Sequence, residues 1–316
     1  MASTLPREIG HVGTPPIKCQ GIKTKLVPFI TRSLNWPGEG GGRWIEPFMG
    51  SGVVAFNIAP ERALLTDANP HIINFYRSIQ AGEINSDKVR EFLESEGKIL
   101  SGKGAEYYYE VRERFNDDGS PLDFLFLNRA CFNGLIRFNR QGKFNVPFNH
   151  KPQRFSKAYI TKIVNQVNWV AKQIQNRDVD FQVADWRETL SKAGTGDFVY
   201  MDPPYAGRHT DYFNAWGADE AASMAAAAQE LPCGLAVSMW LRNTYRNNDH
   251  VEKCWPDFVV KEFEHFYHVG STESLRNKMT EALIIKPGFE TYGESEEKLD
   301  VYEQSVLFEH PTTPHL

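Results

Sequence analysis

The sequence predicts an α/β protein in which a mostly parallel sheet is interrupted by an inserted, mostly helical module. Three observations predict it. Short apolar strands alternate with helical stretches at both ends of the chain, the pattern that builds βαβ units. A block of helical patterns separates those two ends. The charge also changes inside that block. The 316 residues carry a formal net charge of −5, yet residues 124–177 hold ten Lys or Arg and no Asp or Glu, so this window is +10 and the rest is −15.

The elements follow in order. Arg43-Trp44-Ile45-Glu46 reads as a buried strand running into Pro47-Phe48-Met49-Gly50-Ser51-Gly52. Val53 to Ala59 forms a helix stopped by Pro60, and Ala63 to Asp67 a second strand. Asn69 caps a helix through Gln80, because Pro70 suits a first helical turn. Helical patterns follow at Ser86–Glu96, Glu106–Phe115 and Pro121–Cys131. Ile136 to Val146 alternates around Arg140-Gln141-Gly142 and predicts a β-hairpin. A helix covers Ser156 to Ile174. Strands return at Asp180–Val183, Phe198–Met201, Gly234–Ser238, Phe258–Phe263 and Ala282–Lys286, with an Ala-rich helix over Ala218–Glu230. Residues 1–70 and 178–288 therefore form a discontinuous sheet domain, 71–177 the insert, and 289–316 an acidic, solvated tail that opens on Glu290.

Composition excludes several classes. With 41% hydrophobic and 13% aromatic residues the chain buries a sizeable core, so it is neither disordered nor collagen-like. Cys19, Cys131, Cys233 and Cys254 are scattered and form no C-x-x-C pair, which argues against a disulfide framework or a zinc site and for a reducing, cytoplasmic compartment. No apolar run reaches the ~18 residues of a membrane span. His265 and His268 lack a completing acid or cysteine, so they read as structural and no metal is expected.

Three segments carry chemistry. Gly50-Ser51-Gly52, between a strand and a helix, lets a ligand approach the backbone, and Asp67 at the end of the next strand is placed for ribose hydroxyls. A plain tight turn explains the glycines equally well. Asp202-Pro203-Pro204-Tyr205 is more specific: an apolar strand delivers an acid into a rigid turn that ends in an aromatic ring. Asp202 and the Pro203 carbonyl make two acceptors, and Tyr205 a stacking face, for a planar amino group. In the basic window, Phe132, Phe138, Phe144, Phe148 and Phe155 interleave with the cations, as a nucleic-acid surface requires. A solvated basic face over core phenylalanines is the alternative there.

Asp202-Pro203-Pro204-Tyr205 together with Phe48-Met49-Gly50-Ser51-Gly52 resembles the D12-class, Dam-like DNA adenine N6-methyltransferases, and the EcoRV-type modification methylases in particular. Asn128-Arg129-Ala130-Cys131-Phe132-Asn133-Gly134-Leu135-Ile136-Arg137-Phe138-Asn139 and Gly142 to Phe148 resemble the family's DNA-reading segment. Pro16 to Lys23 stands where the family has its N-terminal cofactor segment, with Cys19 and Ile22 in place of the usual Trp and Gly.

The resemblance implies a Rossmann-like methyltransferase sheet carrying a DNA-recognition domain. It also implies methyl transfer from S-adenosylmethionine to N6 of a flipped adenine in duplex DNA. Asp202, Pro203, Pro204 and Tyr205 would be catalytic. Lys18, Gln20, Gly21, Lys23, Glu46, Pro47, Phe48, Gly50, Gly52, Asp67, Asp185 and Asp202 would border the cofactor, with Lys23 on its carboxylate and Asp185 on its adenine, a plain surface carboxylate being the alternative for Asp185. Arg137 would pair with a guanine, with a phosphate contact as the alternative, and Phe132 and Asn133 would fill space beside the flipped base. Arg129, Leu135, Asn139 and Pro147 belong to the same reading segment, while Arg140, Lys143, Lys151 and Arg154 would meet phosphates. Tyr212 and Phe213 would close the pocket or pack in the core. The target would be a palindrome beginning GAT, either GATATC or GATC, in a restriction-modification, regulatory or phage setting. A cognate endonuclease would share the site without binding this chain, and a monomer suffices. A DNA-binding protein without catalysis and an RNA adenine methyltransferase are the competing readings.

Overall fold

The structure is a computed structural model and describes residues 4–6, 8–204, 216–243, 248–268 and 276–291. Among the described residues seven strands form one sheet: β1 (Trp44–Glu46), β2 (Arg62–Asp67), β3 (Asp178–Val183), β4 (Phe198–Met201), β5 (Gly234–Asn243), β6 (Val259–His268) and β7 (Arg276–Ile285). Their order across the sheet is β3-β2-β1-β4-β5-β7-β6. The first five pair in parallel, whereas β7 is antiparallel to both β5 and β6. The 3-2-1-4-5 order matches the Rossmann arrangement, which binds ligands at the carboxyl ends of its strands where the order reverses. That reversal lies between β1 and β4.

Side-chain alternation divides the interior into two layers. Ile45, Leu64, Val199, Met201, Val237 and Ile284 face helices α8 (Trp186–Leu190), α9 (Ala218–Gln229) and α10 (His250–Cys254). Trp44, Leu65, Phe198, Tyr200 and Leu283 face the larger cluster on the other side. That cluster takes in α1 (Val27–Ser33), α2 (Val53–Ile58), α3 (Pro70–Gln80) and α7 (Lys157–Ile174). The same cluster runs on without a break into α4 (Ser86–Lys103), α5 (Ala105–Asp118) and α6 (Pro121–Ala130).

Local signals account for the helix starts. Asn69 accepts from His71 N at 3.0 Å ahead of Pro70, and Asn85 accepts from Asp87 and Lys88 N at 3.2 and 3.1 Å. The inserted helices are tied by Arg114, which donates to Asp123 Oδ2 at 2.7 Å and to Glu96 Oε2 at 2.8 Å. The first and last helices of the 71–177 segment also serve the sheet. Arg77 of α3 donates to Phe181 O at 2.8 Å, and Trp169 of α7 meets Phe56 edge-on at 6.4 Å.

Two expectations change. The hairpin over Ile136–Val146 forms but is short: around its one bridge, Phe138↔Phe144, Asn139 N donates to Lys143 O at 2.9 Å and Asn145 N to Arg137 O at 3.1 Å, with Gly142 in the turn. Side chains reinforce it: Asn139 Oδ1 accepts from Gln141 and Lys143 N, and Asn116 Oδ1 accepts from Phe144 N at 2.7 Å. The tail does not begin at 289. Phe289 packs edge-on against Phe198 at 5.9 Å, Asn35 N donates to Phe289 O at 2.7 Å, and Glu290 bridges Leu34, so residues 289–291 belong to the sheet domain. A half-buried aromatic ring packed against the core outweighs the acidic composition there.

Candidate active site and nucleic-acid face

Four carboxylates stand on one face of the sheet at its carboxyl end. Asp67 lies two residues past Leu65, Glu46 two past Trp44, Asp202 two past Tyr200 and Glu281 two before Leu283, and all four of those neighbours belong to the larger cluster. The period of two therefore brings the acids of β2, β1, β4 and β7 into a row. Beneath them Trp44 stacks on Phe198 at 5.2 Å and on Tyr200 at 5.8 Å, which makes the floor dry.

Burial then decides the protonation. It pushes Glu46 up to about 8, against the opposing hydrogen bond from Trp44 Nε1 at 2.8 Å. Burial likewise pushes Asp67 and Asp202 up to about 6. For Asp202 desolvation outweighs a close cation, because Lys23 Nζ lies 2.9 Å from its Oδ1. Lys23 is itself buried, 3.7 Å from Glu281 Oε2, and it donates to Gly21 O at 3.1 Å.

The glycine turn is conformationally required. Gly50 and Gly52 have φ of 48° and 70°, and a Cβ on Gly52 would stand 2.4 Å from the Phe56 ring. Asp67 ties this turn down: its Oδ2 accepts from Gly50 N at 2.9 Å and its Oδ1 from Asn69 N at 2.8 Å. Cys19 lies against the same turn, its Sγ 3.8 Å from the position of a Gly50 Cβ. Pro47 is buried behind the turn, and Phe48 meets Trp216 edge-on at 5.5 Å. Asp185 follows β3 next to Asp67, since Ala184 N donates to Asp67 O at 3.2 Å. Its side chain caps α8 through Arg187 N at 3.0 Å. Val183, 43% exposed, adds an apolar rim beside it that the sequence reading missed.

Pro203 is buried and Pro204 half-buried directly after Asp202. Tyr205, Tyr212 and Phe213 lie outside the described residues. Gln20 and Gly21 are exposed at the mouth.

Lys18 departs from its expected place by the cofactor turn. Its backbone is clamped by Asn128, whose Oδ1 accepts from Lys18 N at 2.8 Å and whose Nδ2 donates to Lys18 O at 2.9 Å and Gly134 O at 3.2 Å. Its side chain passes Gly134, where an added Cβ would meet Lys18 Cδ at 2.5 Å. The N-terminal segment thus spans both regions, with Lys23 on Asp202 and Lys18 on the reading loop.

The reading segment is largely surface. Phe132 is 50% exposed, and Asn133, Asn139, Arg140, Lys143, Pro147 and Lys151 are exposed as well. Asn133 has φ of 54°, which orders the turn that presents Phe132. Leu135 is half-buried behind it. Arg137 is held by Asn145, with Nε 2.7 Å from Oδ1 and Nη2 3.2 Å from the carbonyl. Arg129 corrects the sequence reading. It is only 3% exposed and reaches Tyr159 Oη at 3.3 Å and Gln166 Oε1, so its charge lies beneath the surface. Arg154 donates to the same Tyr159 Oη at 2.8 Å, at one wall of a cleft of about 460 Å³ lined also by Lys151 and Ser156. Lys18, Arg129 and Arg154 together pull the Tyr159 phenol below its ordinary value, although burial opposes them.

Among the described residues no group of three or more His, Cys, Asp or Glu could hold a metal ion, and no helix is long and apolar enough to cross a membrane. The side chains of His265 and His268 lie outside the described residues.

A family model for D12 class N6 adenine-specific DNA methyltransferases matches residues 20–269. A DNA adenine methylase of Vibrio cholerae is 30% identical over 282 residues, 85% of this chain and 94% of that protein. A DNA adenine methylase of Serratia marcescens is 34% identical over 196 residues, 60% of this chain and 66% of the relative. A Type II methyltransferase of Lactococcus lactis subsp. cremoris is 26% identical over 290 residues, 87% of this chain and 95% of the relative.

Proposed function

We propose a reaction for this chain from the premise that it belongs to the D12 class N6 adenine-specific DNA methyltransferases: methyl transfer from S-adenosylmethionine to N6 of an adenine flipped out of duplex DNA. The observation that carries the reading is the row of Asp67, Glu46, Asp202 and Glu281, in which Lys23 is the buried cation. S-adenosylmethionine bears a positive sulfonium and a positive ammonium, so a dry row with more acids than bases fits it, as does a glycine turn open to close approach. When bound, it supplies an activated methyl group.

The residues of this chain do the rest. Gly50, Gly52 and Asp67 shape the turn that borders the donor, with Pro47 and Phe48 behind it and Gln20 and Gly21 at its mouth. Glu46, largely protonated at neutral pH, both accepts from Trp44 and can donate. Asp185 and Val183 flank the remaining rim. Asp202 Oδ and the Pro203 carbonyl accept the two N6 protons, and Pro204 keeps their spacing rigid. This favours a pyramidal amino nitrogen whose lone pair is no longer delocalised. Positioning and electrostatics supply most of the acceleration, because the N6 proton becomes acidic only after methylation. Tyr205 follows the turn as the stacking partner. Unstacking the adenine costs a few kcal/mol, and Phe132 and Asn133 offset it by filling the gap.

On the DNA face Arg137 reads a guanine, aimed by Asn145. Arg140, Lys143, Lys151 and Arg154 hold phosphates, and Arg129 acts from below through Tyr159. The target is a palindrome beginning GAT, GATATC ahead of GATC, beside a restriction endonuclease or in a solitary enzyme. Methylating a plasmid and mapping N6-methyladenine at every position tests both reaction and target. Label entering RNA but not duplex DNA, or DNA binding without any transfer, would overturn it.

A further inference from the structure

Glu281 belongs to the antiparallel strand β7, opposite Trp240 of β5 and Phe263 of β6. It is buried on the same face as Asp202, three strands away from Glu46. Its Oε2 lies 3.7 Å from Lys23 Nζ, and the same Nζ lies 2.9 Å from Asp202 Oδ1. Lys23 is thus shared between an acid at the end of a parallel strand and an acid of an antiparallel one.

Taking Asp202 as the acceptor of the amino group, we propose that Glu281 is a positioning residue for methyl transfer: by sharing Lys23 it fixes the ammonium on one oxygen of Asp202, turns the other oxygen toward the adenine, and keeps that carboxylate electron-rich. The geometry gives the reason. A lysine held by Asp202 and the Gly21 carbonyl, with no second acid, would spend its whole charge on the acceptor. A second carboxylate on the other side of the ammonium divides its charge and holds it in place.

The groups facing Asp202 support this assignment. Cys19 and Lys23 approach from the N-terminal segment, Glu46 from β1, Tyr200 from β4 and Glu281 from β7. Burial pushes the Cys19 thiol and the Tyr200 phenol well above their ordinary values and Glu46 up to about 8, so all three are largely neutral at pH 7. Burial raises the Asp202 carboxyl most; among the described residues Lys23 and Glu281 are the charges that then adjust it, Lys23 downward and Glu281 upward.

The test is single-turnover methyl transfer to a duplex oligonucleotide from about pH 5 to about pH 9, with DNA affinity measured alongside. Glu281→Gln keeps the shape and removes the charge. Its acid limb is expected to move about one pH unit lower, and its plateau to fall about tenfold, with DNA affinity little changed. Glu281→Asp, which restores the charge, is expected to return the limb most of the way. An unmoved limb in a folded Glu281→Gln protein, or a limb that follows Glu46→Gln instead, overturns the proposal. Asp202→Asn separates the two readings: wild-type-like turnover in that variant refutes Asp202 as acceptor, whatever Glu281→Gln does.

Discussion

Replacing Asp202 by Asn should remove activity and yet stabilise the protein at neutral pH. The carboxyl is raised from its ordinary 3.8 to about 6, so its ionised form is disfavoured in the folded state. Each pKa unit is worth about 1.4 kcal/mol, so the ionised carboxylate costs the native state about 3 kcal/mol at pH 7.5. The side chain is 23% exposed, little enough for most of that cost to be felt. The sign follows from linkage: stability from this group is fully present below its unfolded value near 4 and is lost as pH rises through about 6. Asn is neutral at every pH and escapes that loss. Breaking the contact to Lys23 offsets part of the gain, and Glu281 remains to hold the ammonium. The expected increase in Tm at pH 7.5 is then a few degrees, shrinking toward zero near pH 4. Methyl transfer should fall at least about 10²-fold, the cost of losing an acceptor aimed at the reacting group. Thermal melts at both pH values and a labelled-methyl assay read the two effects. A pH-independent loss of stability would refute the burial argument, and unchanged turnover would refute the acceptor.

Other expectations concern the turn, the clamp and the DNA face. Gly52→Ala should lose more than about 1 kcal/mol in denaturant melts, because φ is positive and the new Cβ meets Phe56 at 2.4 Å. Asn128→Ala removes its two hydrogen bonds to Lys18 and one to Gly134, so titrations should show DNA and S-adenosylmethionine affinities weakening together. Arg137→Ala should relax recognition at one base pair by about 1–3 kcal/mol in competition with variant sites. Lys143→Ala should instead lower the slope of log affinity against log salt by about one, at every sequence.

The sheet domain was readable because its strands are short, apolar and separated by helices with caps. The Asn69-Pro70 helix ends at Gln80 as expected, and Phe198–Met201 is a strand over its whole predicted length. Helix α1 was not read, since Val27–Ser33 is brief and begins without a side-chain cap. The strand Arg276–Ile285 was seen only from Ala282, because its first half is polar and lacks the apolar run that marks a buried strand. Glu281 was missed with it, although an acid directly before Ala282-Leu283-Ile284-Ile285 was the available signal. The buried state of Arg129 carries no mark in the sequence at all, since a helix-end arginine in a basic window reads as surface.

Residue order alone determined the chemistry of each piece: an acid before two prolines, two glycines after a strand, and a window of cations without acids. Tertiary structure decided which pieces meet. Strand alternation is local, but the crossing order that sets β2, β1, β4 and β7 with one face in common is not, and only it brings four carboxylates from distant positions over one dry aromatic floor. Burial there, rather than residue type, sets which of those acids hold their protons, and the shared face sets Lys23 between Asp202 and Glu281.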